Sequence, residues 1–162
     1  MTDLNKLLTP IFLSEKEIRK LMELLFFSYR DFTSGPDKVL EKIEFGRAHH
    51  RIIYFVGKKE GITIKDLLSI LQITKQSLSR VLNQLVKNKY INVSTGFDKR
   101  TKKLSLTSKG LELEKKLSII QINKIRNVLK SKKDIDINGF KKILFDMINE
   151  ESKKNFRNLN KL

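Results

Sequence analysis

Two short stretches of helical periodicity, separated only by Gln72 and Ile73, constrain the fold of this chain more than any other feature. In the first, Thr63 and Asp66 have capping-box spacing, in which each side chain serves the other's backbone N–H. Ile64, Leu67, Leu68 and Leu71 then fall on one side of the helix that the box opens. In the second, Thr74 stands at an N-cap position, and Leu78, Val81, Leu82, Leu85 and Val86 form a stripe that needs burial. The opposite face is polar throughout, with Lys75, Gln76, Ser79, Arg80, Asn83 and Lys87. Two short helices joined by so brief a link, the second with a polar outer face, form a helix-turn-helix pattern.

After Asn88 the period changes. Tyr90, Ile91 and Val93 are strand formers, and Leu104 and Leu106 alternate with Lys103 and Ser105 on a second short run. The residues between them, from Thr95 to Lys102, are turn-rich and basic, so a β-hairpin with a positively charged tip is expected. Thr107 is placed to cap a long helix to about Leu129, and a last helix from about Asp136 carries Phe140, Ile143, Leu144, Met147 and Ile148 on one face.

Charge placement points toward nucleic acid. The 162 residues carry 34 Lys and Arg against 18 Asp and Glu, a net of +16, which favours a polyanionic partner. Most of these cations are Lys, in a chain also rich in Asn and Ile, so compositional drift contributes to the total and position is the better guide. Between Thr74 and Lys103, eight cations (Lys75, Arg80, Lys87, Lys89, Lys99, Arg100, Lys102, Lys103) face one acid, Asp98. In a helix-turn-helix the start of the second helix enters the major groove, where Gln76, Arg80 and Asn83 can hydrogen-bond base edges. Thr74, Lys75 and Ser77 lie at that helix start, where the Ser77 hydroxyl and backbone amides can bind phosphate. Taken alone, the same helix is equally an ordinary amphipathic surface helix.

The hairpin makes the pattern specific. Asp98, Arg100, Leu104, Leu106, Thr107 and Gly110 stand in the order D-x-R-x-x-x-L-x-L-T-x-x-G, which resembles the wing signature of the MarR family of bacterial regulators. Phe45-Gly46-Arg47-Ala48-His49-His50-Arg51 and Ile73-Thr74-Lys75-Gln76-Ser77-Leu78 are similar to a PetP-like subgroup of that family found in alphaproteobacteria. The resemblance runs from about Ser14 to Leu129. It implies a mainly α fold with a small β-hairpin wing, a winged helix-turn-helix domain plus N- and C-terminal dimerisation helices. It also implies that Arg100 reaches into a minor groove and that Asp98 helps hold it, in accord with the negative potential of a narrow A·T-rich groove. The plainer reading of the tip is an exposed charged turn with a local ion pair. Lys99, Lys102 and Lys103 complete the wing's basic surface.

The expected organisation is a single domain over 1–162, with a winged helix-turn-helix region at 36–107 and dimerisation helices at 1–35 and 108–162. A first helix opens at Ser14 and runs to about Phe32; Thr33-Ser34-Gly35-Pro36 reads as the clearest break, followed by a helical region to Lys58, bent near Gly46. Leu24 to Phe27 are consecutive apolar residues, and Leu7, Leu8, Ile11, Phe12 and Leu13 precede them as a candidate crossing arm. The helix after Thr107 carries Leu113, Leu117 and Ile120 as well as Ile119, Ile122, Ile125 and Leu129, more of its circumference than one stripe requires. These surplus faces fit a homodimer, although closure within one chain is the alternative.

The remaining expectations concern function classes. With no Cys, the chain has no disulfide, thiolate metal site or cysteine nucleophile. No phosphate-binding Gly loop, metal-ligand cluster or nucleophile with its base is apparent, so neither an enzyme nor a cofactor is expected. Adjacent on a helix, His49 and His50 point about 100° apart and are poorly placed to share a metal. No apolar run spans a membrane, and MTDLNKLLTP lacks the features of an export leader, so a cytoplasmic location is expected. The partner expected is double-stranded DNA, bound by a homodimer at a pseudo-palindromic operator; the alternative is a basic architectural protein with little sequence preference. The resemblance further implies a small, often aromatic, anionic effector. Arg47, His50 and Tyr54 are the lining candidates, although their spacing equally serves a packed helix face, the preferred reading.

Overall fold

The computed structural model describes residues 14–96 and 101–161. Among them, helices α1 (Glu15–Glu41) and α2 (Arg47–Lys58) precede strand β1 (Ile62–Thr63) and the short helices α3 (Ile64–Leu71) and α4 (Lys75–Lys87). Strands β2 (Ile91–Thr95) and β3 (Lys102–Leu106) follow, then α5 (Ser108–Leu129), α6 (Asp134–Met147) and α7 (Glu150–Asn160). The fold is mainly α with a small antiparallel sheet in the order β1-β3-β2.

The sequence signals for α3 and α4 correspond to real caps. Thr63 Oγ1 accepts from the Asp66 N–H at 3.1 Å, and Asp66 Oδ2 accepts from the Thr63 N–H at 3.0 Å, closing the capping box. Thr74 caps α4 by accepting from the Ser77 N–H at 3.2 Å. Their apolar stripes meet in one core with Leu40, Ile52, Ile53, Val56, Ile62, Ile91 and Leu104, all essentially inaccessible to solvent. The hairpin pairs Ile91 with Leu106 and Val93 with Leu104, so Leu104 seals the core from the sheet side.

The expected break at Thr33–Pro36 does not occur. Helix α1 runs through it as 27 residues, and the chain turns instead at Lys42–Gly46. Pro36 cannot donate to the carbonyl of Phe32, a loss that normally ends or kinks a helix. Here Phe32 O accepts from Gln121 Nε2 of α5 at 3.5 Å, while Asp31 O accepts from Ser34 Oγ at 2.9 Å and from Lys124 Nζ at 2.6 Å. Thr33 Oγ1 donates back to Tyr29 O and Arg30 O. The residues that look like a break are packed against α5, where a methyl group on Gly35 would lie 2.6 Å from Ile120 Cγ2.

Two further elements go beyond the sequence expectations. Strand β1 adds a third strand at the edge of β3, and the C-terminal segment forms two helices, of which α7 is capped by Asn149 through the Ser152 N–H at 2.8 Å. The expected arm, Leu7 to Leu13, lies outside the described residues.

Candidate nucleic-acid interface and adjoining cavity

Helix α4 presents a surface built by its own burial pattern. Leu78, Val81, Leu82 and Leu85 are buried, which forces Lys75, Gln76, Ser79, Arg80, Asn83 and Lys87 outward, and all six are exposed. Gln76, Arg80 and Asn83 recur at i, i+4 and i+7, so they form one row along the helix. The Ser77 hydroxyl is half-buried and accepts from Thr74 Oγ1 at 2.9 Å, which still leaves its own proton free to donate.

The hairpin stands beside this helix. Ser94 pairs with Lys103 and Thr95 with Lys102, which places both lysines on β3 close to the tip, exposed and with no carboxylate partner among the described residues. Lys75, Arg80 and Lys87 are likewise without an acidic partner there. Asp98, Lys99 and Arg100 lie outside the described residues. Thr107 and Gly110 of the signature hold the base of the hairpin: Thr107 Oγ1 donates to Lys89 O at 2.7 Å and accepts from the Gly110 N–H at 3.0 Å, while the Thr107 N–H donates to Tyr90 O at 3.1 Å.

Beneath α4, His49 of α2 is buried. Its Nδ1 accepts from the Gly46 N–H at 3.1 Å, so the other nitrogen carries the proton and Nε2 donates to Gln84 Oε1 at 2.7 Å. His50, one residue on, faces away into a cavity of about 410 Å3 between α1, α2 and α5. Burial pushes the His50 pKa below its ordinary 6.5, against the pull of Asp37 and Glu114, so the ring is neutral at pH 7. The two histidines therefore do different things, and among the described residues no cluster of three or more His, Asp or Glu is arranged for a metal.

Arg47, His50 and Tyr54 all line that cavity, where sequence spacing favours a packed helix face. Tyr29 and Phe32 of α1 and Gln121 of α5 close it. Arg47 is bound through Nε and Nη2 to Asp37 Oδ2 at 3.0 and 2.9 Å, whereas Arg51 donates to the Tyr29 hydroxyl at 2.7 Å and has no carboxylate partner among the described residues. Sequence reasoning does not single out Arg51 or Tyr29. Arg51 stands four residues from Arg47 and is legible on that ground, but the contribution of Tyr29 depends on how α1 crosses α2.

Among known proteins, a MarR family model matches residues 45–101. The HTH-type transcriptional regulator PetP of Rhodobacter capsulatus is 38% identical over 152 residues, covering 93% of this chain and 92% of the relative. The fold resembles that of Streptococcus pneumoniae FabT, solved in complex with DNA, with a TM-score of 0.71, 18% identity and coverage of 80% of this chain and 94% of that one. It also resembles a MarR protein from Peptoclostridium difficile, with a TM-score of 0.68, 19% identity and coverage of 93% and 96%.

Proposed function

The chain belongs to the MarR family of transcriptional regulators, and from that premise we propose that it is a homodimer that reads a pseudo-palindromic operator in double-stranded DNA. The observation that carries this reading is the exposed row Gln76, Arg80 and Asn83 on a helix whose other face is locked into the core. Such a row suits base edges, with Arg favouring guanine and Asn or Gln favouring adenine. Thr74, Lys75, Ser77, Ser79 and Lys87 flank the row and hold phosphates. Asp98, Lys99, Arg100, Lys102 and Lys103 supply the second set of DNA contacts, with Arg100 reading the minor groove.

A reading unit flanked by dimerisation helices, expected at 36–107, 1–35 and 108–162, is supported by the exposed apolar surface, with the first boundary moved to the turn after Glu41 because α1 runs unbroken through Pro36. Leu21, Leu24, Phe26 and Phe27 on α1, Ile119, Ile122 and Ile125 on α5, and Ile135, Phe140 and Ile143 on α6 are 47–77% exposed. A monomer rarely leaves so many large apolar side chains in water, and a second copy covers them. Two recognition helices then lie about 34 Å apart, one turn of DNA. The cavity beside Arg51 takes a small aromatic anion, which acts by changing that separation.

The test is a binding titration at fixed salt. The Arg100→Ala variant weakens operator binding; unchanged affinity overturns its role. A ratio of operator to competitor affinity near one overturns sequence-specific reading and supports an architectural role.

A further inference from the structure

The turn between α3 and α4 is completed by the C-terminal helix. The last backbone hydrogen bond of α3 runs from the Gln72 N–H to Leu68 O at 2.9 Å, which leaves Ser69 O with no backbone donor among the described residues, as happens at helix ends. Asn155 of α7 supplies the donor: its Nδ2 reaches Ser69 O and Ser69 Oγ, each at 3.1 Å. Ser69 Oγ donates in turn to Glu151 Oε1 at 2.8 Å. Gln72, which holds a left-handed conformation at φ 49° that non-glycine residues disfavour, donates from Nε2 to Ser152 Oγ at 3.3 Å. Three side chains of α7, on one helical face, thus converge on Ser69 and Gln72, in the segment that leads into Thr74, the cap of α4.

At its other side α7 is attached to α6. Phe145 meets Phe156 edge-on at 5.8 Å between centroids, and the Arg157 guanidinium lies 5.3 Å from the centre of the Phe145 ring. Helix α6 has no buried residue of its own. Helix α7 thus links α6 to the end of α3 just ahead of α4, and Asn155 is its central contact there.

We propose that α7 is a strut that holds the turn of the helix-turn-helix unit, with Asn155 as the residue through which it positions α4. This rests on α4 being the DNA-reading helix. Removing the Asn155 amide orphans the Ser69 carbonyl and frees the turn, while leaving the charge that governs non-specific DNA binding untouched.

The test compares the full-length protein with Asn155→Ala and, as a control on the same helix, with Asn158→Ala, whose side chain is exposed. Amide hydrogen exchange of Ile73 to Ser77, measured without DNA, is expected to quicken roughly tenfold in N155A and not in N158A. Affinity for the duplex that the wild-type protein selects from a random-sequence library is expected to fall roughly three- to tenfold in N155A, with affinity for an unselected duplex unchanged. Unaltered exchange overturns the strut. Faster exchange with an unaltered ratio of the two affinities overturns its role in positioning α4. A wild-type protein that prefers no duplex overturns the operator reading instead, and the exchange measurement still decides the strut because it needs no DNA.

Discussion

His49 Nε2 donates to Gln84 Oε1 at 2.7 Å, a bond between α2 and α4 that ties α4 to the scaffold at its third turn. The same ring stacks on Phe45 at 4.3 Å with an interplanar angle of 4° and accepts the Gly46 N–H. His49→Ala removes packing and two hydrogen bonds at once, and a loss of about 2–4 kcal/mol is expected in denaturant unfolding. His49→Phe keeps the stacking and loses only the polar contacts, so it is expected to cost about half as much. Equal losses for the two variants would show that the hydrogen bonds carry the site and the stacking does not.

Gly110 is constrained by close approach, not by backbone conformation. A methyl group there would overlap the carbonyl oxygen of Tyr90 and lie 3.1 Å from its carbon, and backbone cannot swing aside as a side chain can. Gly110→Ala is expected to cost about 3 kcal/mol or more and to loosen the base of the wing. Gly139, within α6, has nothing within 4 Å of the added carbon. Gly139→Ala is accordingly expected to stabilise by about 0.4–1 kcal/mol through helix propensity and unfolded-state entropy. Thermal unfolding of the two variants should move in opposite directions.

The signature glycine illustrates what the sequence discloses and what it withholds. Caps and stripes are local, so Thr63, Asp66, Thr74 and the buried face of α4 can be read directly. Pro36 reads as a break because the group that satisfies the freed Phe32 carbonyl, Gln121, is 89 residues away. Strand β1 is two residues long and carries no period of its own. Helix α7 does leave a local mark, since Asn149 followed by Glu150 and Glu151 is a good helix start, but its target at Ser69 is visible only in three dimensions. The cavity follows the same rule: Arg47, His50 and Tyr54 share the right face, and only the crossing of α1 and α5 over that face makes it a hollow.

Two separate steps are expected in the dependence of stability on pH. Burial lowers the His50 pKa below 6.5, so its contribution is full above 6.5 and is lost as pH falls through the lower folded value. Asp66 is raised by burial, but hydrogen bonds from Thr63 and the neighbouring Lys59 ammonium outweigh this and bring it below 3.8. Its contribution is therefore present above 3.8 and lost as pH falls through the folded value. His50→Gln should flatten only the upper step and Asp66→Asn only the lower one, in unfolding free energies measured across pH. A slope below 6.5 that persists in His50→Gln would assign that step to another group.

Variants of Arg80 and Lys102 test whether reading DNA and holding it fall to different residues. Arg80 lies mid-row on α4, between Gln76 and Asn83, with no acidic partner to compete for its guanidinium among the described residues. If it meets a base edge, Arg80→Ala is expected to cost about 1–3 kcal/mol on the selected duplex and to relax preference at one position per half-site. Lys102 is exposed at the end of β3 nearer the hairpin tip, and the role proposed for it is a phosphate contact. Lys102→Ala should weaken selected and unselected duplexes alike and make the slope of log affinity against log salt shallower by roughly one unit for each phosphate it no longer neutralises. The measurement is a pair of salt titrations on the selected duplex and on a variant altered at the guanine. An Arg80→Ala protein that weakens equally on both would place Arg80 on the backbone and leave Gln76 and Asn83 as the remaining candidates for base reading in the row.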